Sequence, residues 1–148
     1  MEAEVYPEPG VDAFIAENFI PVRLHVKTHP EAMERFNVQW TPTVLVLDAN
    51  GVERHRVEGF LETDDFLGQL ELGAAQVAFA AKQFEVAEKR FRQVVGTLPD
   101  TDAAPEALYW AGVSRYKGGD SGALGATARA FEKSYSDSSW GKKSKIWS

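Results

Sequence analysis

The sequence has no cysteine among its 148 residues. That excludes disulfides, thiolate zinc sites and any thiol nucleophile in this chain, and it does not identify a compartment. Long apolar runs are missing too: none approaches the roughly 18–20 residues that span a bilayer. Met1-Glu2-Ala3-Glu4 is acidic and carries no apolar h-region, so the chain as given shows no secretory signal and a cytoplasmic location is expected. A phosphate loop is also absent. Gly118, Gly119, Gly122 and Gly125 have no strand before them and read as a helix break. Histidine is scarce: His25, His29 and His55 share no helical i, i+4 spacing, so no metal site is expected. Carboxylates are many but scattered, and none pairs as a catalytic acid and base. No catalytic residue, cofactor or metal is therefore expected.

Charge is uneven. Residues 1–70 hold 5 Lys/Arg against 13 Asp/Glu, a net of −8; residues 71–148 hold 11 against 9, a net of +2; the total is −6. The acidic front half argues against nucleic acid as a partner, and no membrane partner is expected.

What the sequence does contain is centred on Val38-Gln39-Trp40-Thr41-Pro42-Thr43-Val44-Leu45-Val46-Leu47-Asp48. Thr43 to Leu47 is β-branched and aliphatic throughout, the pattern of a strand covered on both faces. Pro42 stands at its start, where a missing N–H harms the ladder least. Asn50-Gly51 supplies tight-turn chemistry with positive φ at both central positions, and Glu53 to Glu58 forms the second arm. Before this unit, Pro7 and Pro9-Gly10 punctuate an extended start, and Val11 to Asn18 reads as a short helix. Phe19 to Val26 alternates and reads as a strand. Thr28 caps a helix that begins near Pro30 and runs to Phe36, with Met33 and Phe36 inward. After it, Thr63 caps a helix with Asp64 and Asp65 in its first turn and Phe66, Leu67 and Leu70 inward.

Val38-x-x-Thr41-Pro42-Thr43, the aliphatic strand, the turn and Val57-x-Gly59-Phe60 resemble the second half of a thioredoxin domain, over about Met1 to Leu72. The resemblance implies a cis proline at Pro42, opposite a Cys-x-x-Cys site, and a residue before it that offers its backbone to an extended substrate peptide. Met1-Glu2-x-Glu4-Val5-Tyr6 and Phe19-Ile20-Pro21-Val22 are similar to the segment after Cys-x-x-Cys in some bacterial thioredoxin-like proteins. Those relatives have a first strand and the motif before this point. The resemblance thus implies either an N-terminal part that this sequence does not carry or a lineage without the redox site. Without that strand, Phe19–Val26 must pair directly with Thr43–Leu47, pair with a second chain, or fray.

From Glu71 onward strand signals stop. Ala74, Ala75, Ala78 and Phe79, then Phe84, Ala87, Phe91, Val94 and Val95 recur at helical spacing, with Lys82-Gln83 between them and Leu98-Pro99-Asp100 after. A second pair runs from Pro105 to Tyr116 and from Ala123 to Tyr135. Small residues in one helix and aromatics in the next are similar to tetratricopeptide repeats, although Phe131 lies about three positions late. Trp140 to Trp147 is a basic segment that reads as a cap, with Lys142, Lys143 and Lys145 suited to a helix C-terminus.

The expected fold is therefore an incomplete α/β thioredoxin-like half, residues 1–72, followed by an all-α tetratricopeptide-like half, residues 73–148. Two functions are in view. Thioredoxin kinship implies that a complete parent takes part in protein thiol–disulfide exchange, this chain being redox-inactive for want of sulfur. The alternative is a non-catalytic module that binds a protein or extended peptide through Trp40, Thr41, Pro42 and Thr43, with Gln76, Phe79, Tyr109, Val113 and Tyr116 lining a helical groove. Trp40 has two readings, packed under the helix at Pro30–Phe36 or turned toward a peptide. A homodimer through the exposed sheet edge is a further expectation.

Overall fold

A computed structural model describes residues 9–148; the resemblance at Met1–Tyr6 and the break expected at Pro7 lie outside them. The elements are α1 (Pro9–Asn18), α2 (Pro30–Arg35), β1 (Thr43–Leu47), β2 (Glu53–Glu58), α3 (Thr63–Ala80), α4 (Phe84–Thr97), α5 (Ala103–Lys117), α6 (Ala123–Lys133) and α7 (Ser139–Ser144), with a 3-10 turn at Lys145–Trp147. Among the described residues α1 runs from Pro9, two positions ahead of the start expected at Val11. Val11 is buried against Phe66 and Leu70 of α3, with Phe14, Ile15, Phe19, Val44 and Leu61 around them.

The hairpin pairs Thr43 with Glu58, Val44 with Val57, and Val46 with His55. Its turn is not the two-residue type. The Gly51 N–H donates to the Asp48 carbonyl at 3.0 Å and the Asp48 N–H to the Val52 carbonyl at 2.9 Å, leaving a three-residue loop with Gly51 alone at positive φ (+78°). That is a type I turn closed by a left-handed residue. Asp48 explains the choice. Its Oδ1 accepts from the backbone N–H groups of Asn50 and Val52, and its Oδ2 accepts from Arg54. These donors, Val52 first, hold its carboxyl below the usual range.

Side chains alternate across the hairpin. Val44, Val46, His55 and Val57 share one face, and that face meets α3. Gly73 makes the approach possible: a Cβ there would stand 2.5 Å from Val46 Cγ2 and 3.0 Å from its Cβ. The opposite face is tied to α2 by polar bonds. Arg35 donates to the Gly51 carbonyl and Arg56 to the Phe36 and Asn37 carbonyls, while Glu53 and Glu58 pair with the same Arg56 guanidinium. The expectation of a strand covered on both faces is thus corrected. Val46 is buried, but Leu45 is half-buried and Leu47 is 38% exposed, because the second face carries a short helix and salt bridges in place of an apolar layer.

Two further expectations fail. Phe19–Val26 is not a strand: β1 pairs with β2 alone among the described residues. The segment runs over the surface with Ile20 93% and Val22 76% exposed, since alternation supplies a face but no ladder partner. Neither threonine caps a helix. His29 and Glu62 occupy those positions without a capping bond, and the Thr28 hydroxyl donates to the His25 carbonyl instead.

The tail is helical throughout. Leu72, Ala75 and Ala78 of α3, Ala87, Phe91 and Val94 of α4, and Ala103, Ala107 and Ala111 of α5 form one buried cluster. Small residues on α3 and α5 let both helices close on the larger side chains of α4. Phe131 of α6 is also buried. Helix α3 passes unbroken through Leu72–Gly73, where a boundary was expected, and its first half packs in the front cluster while its second half packs in the tail. Arg90 of α4 reinforces the joint, reaching Glu71 of α3 at 3.2 Å and the Asn18 side chain of α1 at 3.1 Å. Burial pushes the Glu71 carboxyl up, against the pull of Arg90.

Candidate functional site

The end of α2 and the start of β1 set the Pro42 loop between them. Phe36 and Asn37 end α2, Asn37 at φ +50°, and the chain then runs exposed through Gln39, Trp40, Thr41 and Pro42 into β1. The Thr43 hydroxyl donates to the Trp40 carbonyl at 2.6 Å and the Gly59 N–H to the Pro42 carbonyl at 2.8 Å. The Thr41–Pro42 peptide is cis. Trp40 is 65% exposed and Phe60, next to Gly59, is 50% exposed. Of the two readings of Trp40, the structure therefore excludes packing beneath α2. What the loop presents is an exposed segment at Trp40 and Thr41, flanked by the exposed side chains of Trp40 and Phe60, at the start of a strand whose outer edge has no partner among the described residues.

A family model described as a thioredoxin-like domain matches residues 1–74, half of the chain. The chain belongs to the thioredoxin-like domain family. Its match ends inside α3, so the thioredoxin-like part and the helical remainder share that helix. No curated protein and no solved structure matches the chain.

The thioredoxin-like part contributes Trp40, Thr41, Pro42 and Thr43 as one contiguous loop. The helical residues named from the sequence are disposed differently. Phe79 packs edge-on against Phe84 and Trp110, each with centroids 5.3 Å apart. Tyr109 lies 5.0 Å from Trp140 and 4.6 Å from Trp147, so the C-terminal segment covers it. Gln76 and Val113 are half-buried, and Tyr116 is exposed. Helical spacing pointed to Phe79 and Tyr109, but it could not reveal that both would pack on Trp110, with Trp140 and Trp147 against Tyr109. Lys143, read as a helix-end cation, stands 4.1 Å from the Trp140 ring centre, where an aromatic face attracts it.

Sequence reasoning overlooked the surroundings of His55. Its Nε2 lies 2.7 Å from Gln69 Oε1 of α3. Glu106 of α5 sits close enough to feel both His55 and Lys143, yet burial dominates and pushes its carboxyl up. Among the described residues no cluster of three or more His, Asp or Glu suited to a metal occurs, and no helix is long and apolar enough to cross a membrane.

Proposed function

We propose that this thioredoxin-family chain binds an extended peptide at Trp40–Thr43 and does not itself exchange disulfides. The observation that carries the reading is the exposed loop at Trp40, Thr41 and Pro42 leading into the unpartnered edge of β1. A strand edge offers a row of backbone donors and acceptors to an added strand, and the flanking aromatics offer apolar contact at small entropic cost. The thiol–disulfide exchange that kinship implies needs a thiolate, and the sequence contains none.

The test is amide shift mapping with a short peptide of alternating valine and serine. The largest changes are expected at Trp40, Thr41 and β1. Changes confined to α4–α6, or none, would overturn the reading. Insulin reduction by the chain should equal the buffer blank.

The helical remainder fits a tetratricopeptide-like array, with α3–α4 and α5–α6 as pairs and α7 as cap. Its role in this reading is to hold α3, and through α3 the hairpin. A second reading, self-association through the sheet edge, draws on the outer edge of β1, which has no partner among the described residues. Light scattering over a range of concentrations separates it from peptide binding.

A further inference from the structure

Two features of the front half stand open together. The outer edge of β1 has no partner among the described residues. Residues 20–28 belong to no helix or strand and are exposed throughout. Within them Ile20, Val22, Leu24 and Val26 are 93%, 76%, 40% and 39% exposed, and Arg23, His25 and Lys27 stand at positions between. Once such a segment is extended, a period of two puts its apolar residues on one side and its basic residues on the other. The two features border one core, since Phe19 and Val44 both pack against Val11, Phe66 and Leu70. The edge offers matching sides. Val44 and Val46 lie on the side that meets α3, and the other side is the one tied to α2, where Glu31 and Glu34 are exposed.

We propose that residues 19–27 of one copy add as a strand to the β1 edge of a second copy, and that the exchange is reciprocal. The proposal rests on the peptide-binding reading above and names the peptide. Reciprocity singles out a second copy. An unrelated peptide would close the β1 edge and leave Ile20 and Val22 in water, whereas a second copy closes both features in each chain through one two-fold interface. Charge points the same way. Residues 19–27 contain Arg23 and Lys27 and no acid, while the rest of residues 1–70 holds the other 3 Lys/Arg against all 13 Asp/Glu. The added strand sets its apolar side beside Val44 and Val46 and its basic side toward α2, with Glu31 and Glu34. Pairing this segment with its own counterpart would instead bring the basic residues of both chains together, and like charges opposite one another destabilise a ladder. Pro21 is tolerated because the added strand is outermost.

Sedimentation of the chain over a range of concentrations tests this, and the parent is expected to dimerise. Ile20→Ser with Val22→Ser alters two side chains that a single copy leaves in water, so the fold should hold while the dimer weakens about a hundredfold. Glu31→Gln with Glu34→Gln should weaken it about twofold to fivefold. A synthetic peptide of residues 19–27, added to the isotope-labelled double-serine variant, should shift the amides of Trp40, Thr41 and β1. A parent that stays monomeric, or a dimer equally tight after the serine changes, would overturn the inference. If the 19–27 peptide leaves those amides unmoved while the valine–serine peptide shifts them, the inference fails and the peptide-binding reading stands. If neither peptide moves them, both fail.

Discussion

The two buried clusters are closed in different ways. The tail cluster is made by three long helices in sequence, each contributing residues that are wholly inaccessible, such as Leu72, Phe91 and Ala107. The front cluster has Val11, Phe66 and Leu70 at its centre, and its rim consists of half-buried Phe14, Ile15, Phe19, Val44 and Leu61. Around it the surface stays apolar: Ile20, Val22, Trp40 and Phe60 are all well exposed. Local helix–helix contacts complete a core without help from distant segments, whereas a sheet must find neighbours for every strand edge. The front half therefore leans on α3, which carries Phe66 and Leu70 for one cluster and Leu72 and Ala75 for the other.

Cutting each cluster at its centre should separate them most sharply. Phe91→Ala removes a fully buried ring where three helices meet and cannot be refilled by surface residues. A loss of about 3–5 kcal/mol is expected, with the whole chain melting at lower denaturant by far-UV circular dichroism. Phe66→Ala should cost about as much locally, yet hydrogen exchange should show α4, α5 and α6 still protected while residues 9–58 open. Equal loss of protection in α4–α6 for both variants would mean that the two clusters fold as one unit.

The same contrast decides what could be read from the residues alone. Helices α4 and α5 were legible because Ala87, Phe91 and Val94, and then Ala107 and Ala111, find their partners one helix away. The hairpin was legible from Pro42 and Asn50-Gly51, although its turn type depended on Asp48, whose side chain gathers backbone donors on either side of Gly51. Phe19–Val26 misled because alternation is a property of the segment, while strand formation is a property of its neighbour. The shared helix was hidden for a related reason. The apolar stripe of α3 shifts between Leu70 and Leu72, and sequence periodicity does not say that the shift marks two cores served by one helix. At the candidate site, Trp40–Thr43 was legible because it is contiguous. The surroundings of His55 were not, since Gln69 and Glu106 come near it only through the packing of the helices.

A smaller perturbation probes the seam between the halves. Gly73→Ala places a methyl against Val46 near its Cβ, where the valine cannot swing aside. Overpacking of this kind costs about 1–3 kcal/mol. The hairpin should lift from α3, so exchange at Val44, Val46 and Val57 should quicken while α4–α6 stay protected. A variant as stable as the parent, with hairpin protection intact, would show that the seam is looser than the geometry implies.

The smallest effect concerns Glu106, where the tail meets both the hairpin and the cap. Burial raises its carboxyl above the free value of 4.5, and the electrostatic influence of His55 of β2 and Lys143 of α7 offsets part of that. An acid whose folded pKa is raised binds its proton more tightly in the native state. Its contribution to stability is then full below the unfolded pKa and is lost as pH rises through the folded one. Near neutral pH the charged carboxylate is thus a net cost. Glu106→Gln should melt higher than the parent at about pH 7, and the gap should shrink toward zero as pH falls to about 4. Melting curves across that range decide it. If the variant melts lower at neutral pH, attraction from His55 and Lys143 outweighs the burial of the charge, and an ion-pair network holds the joint between hairpin, tail and cap.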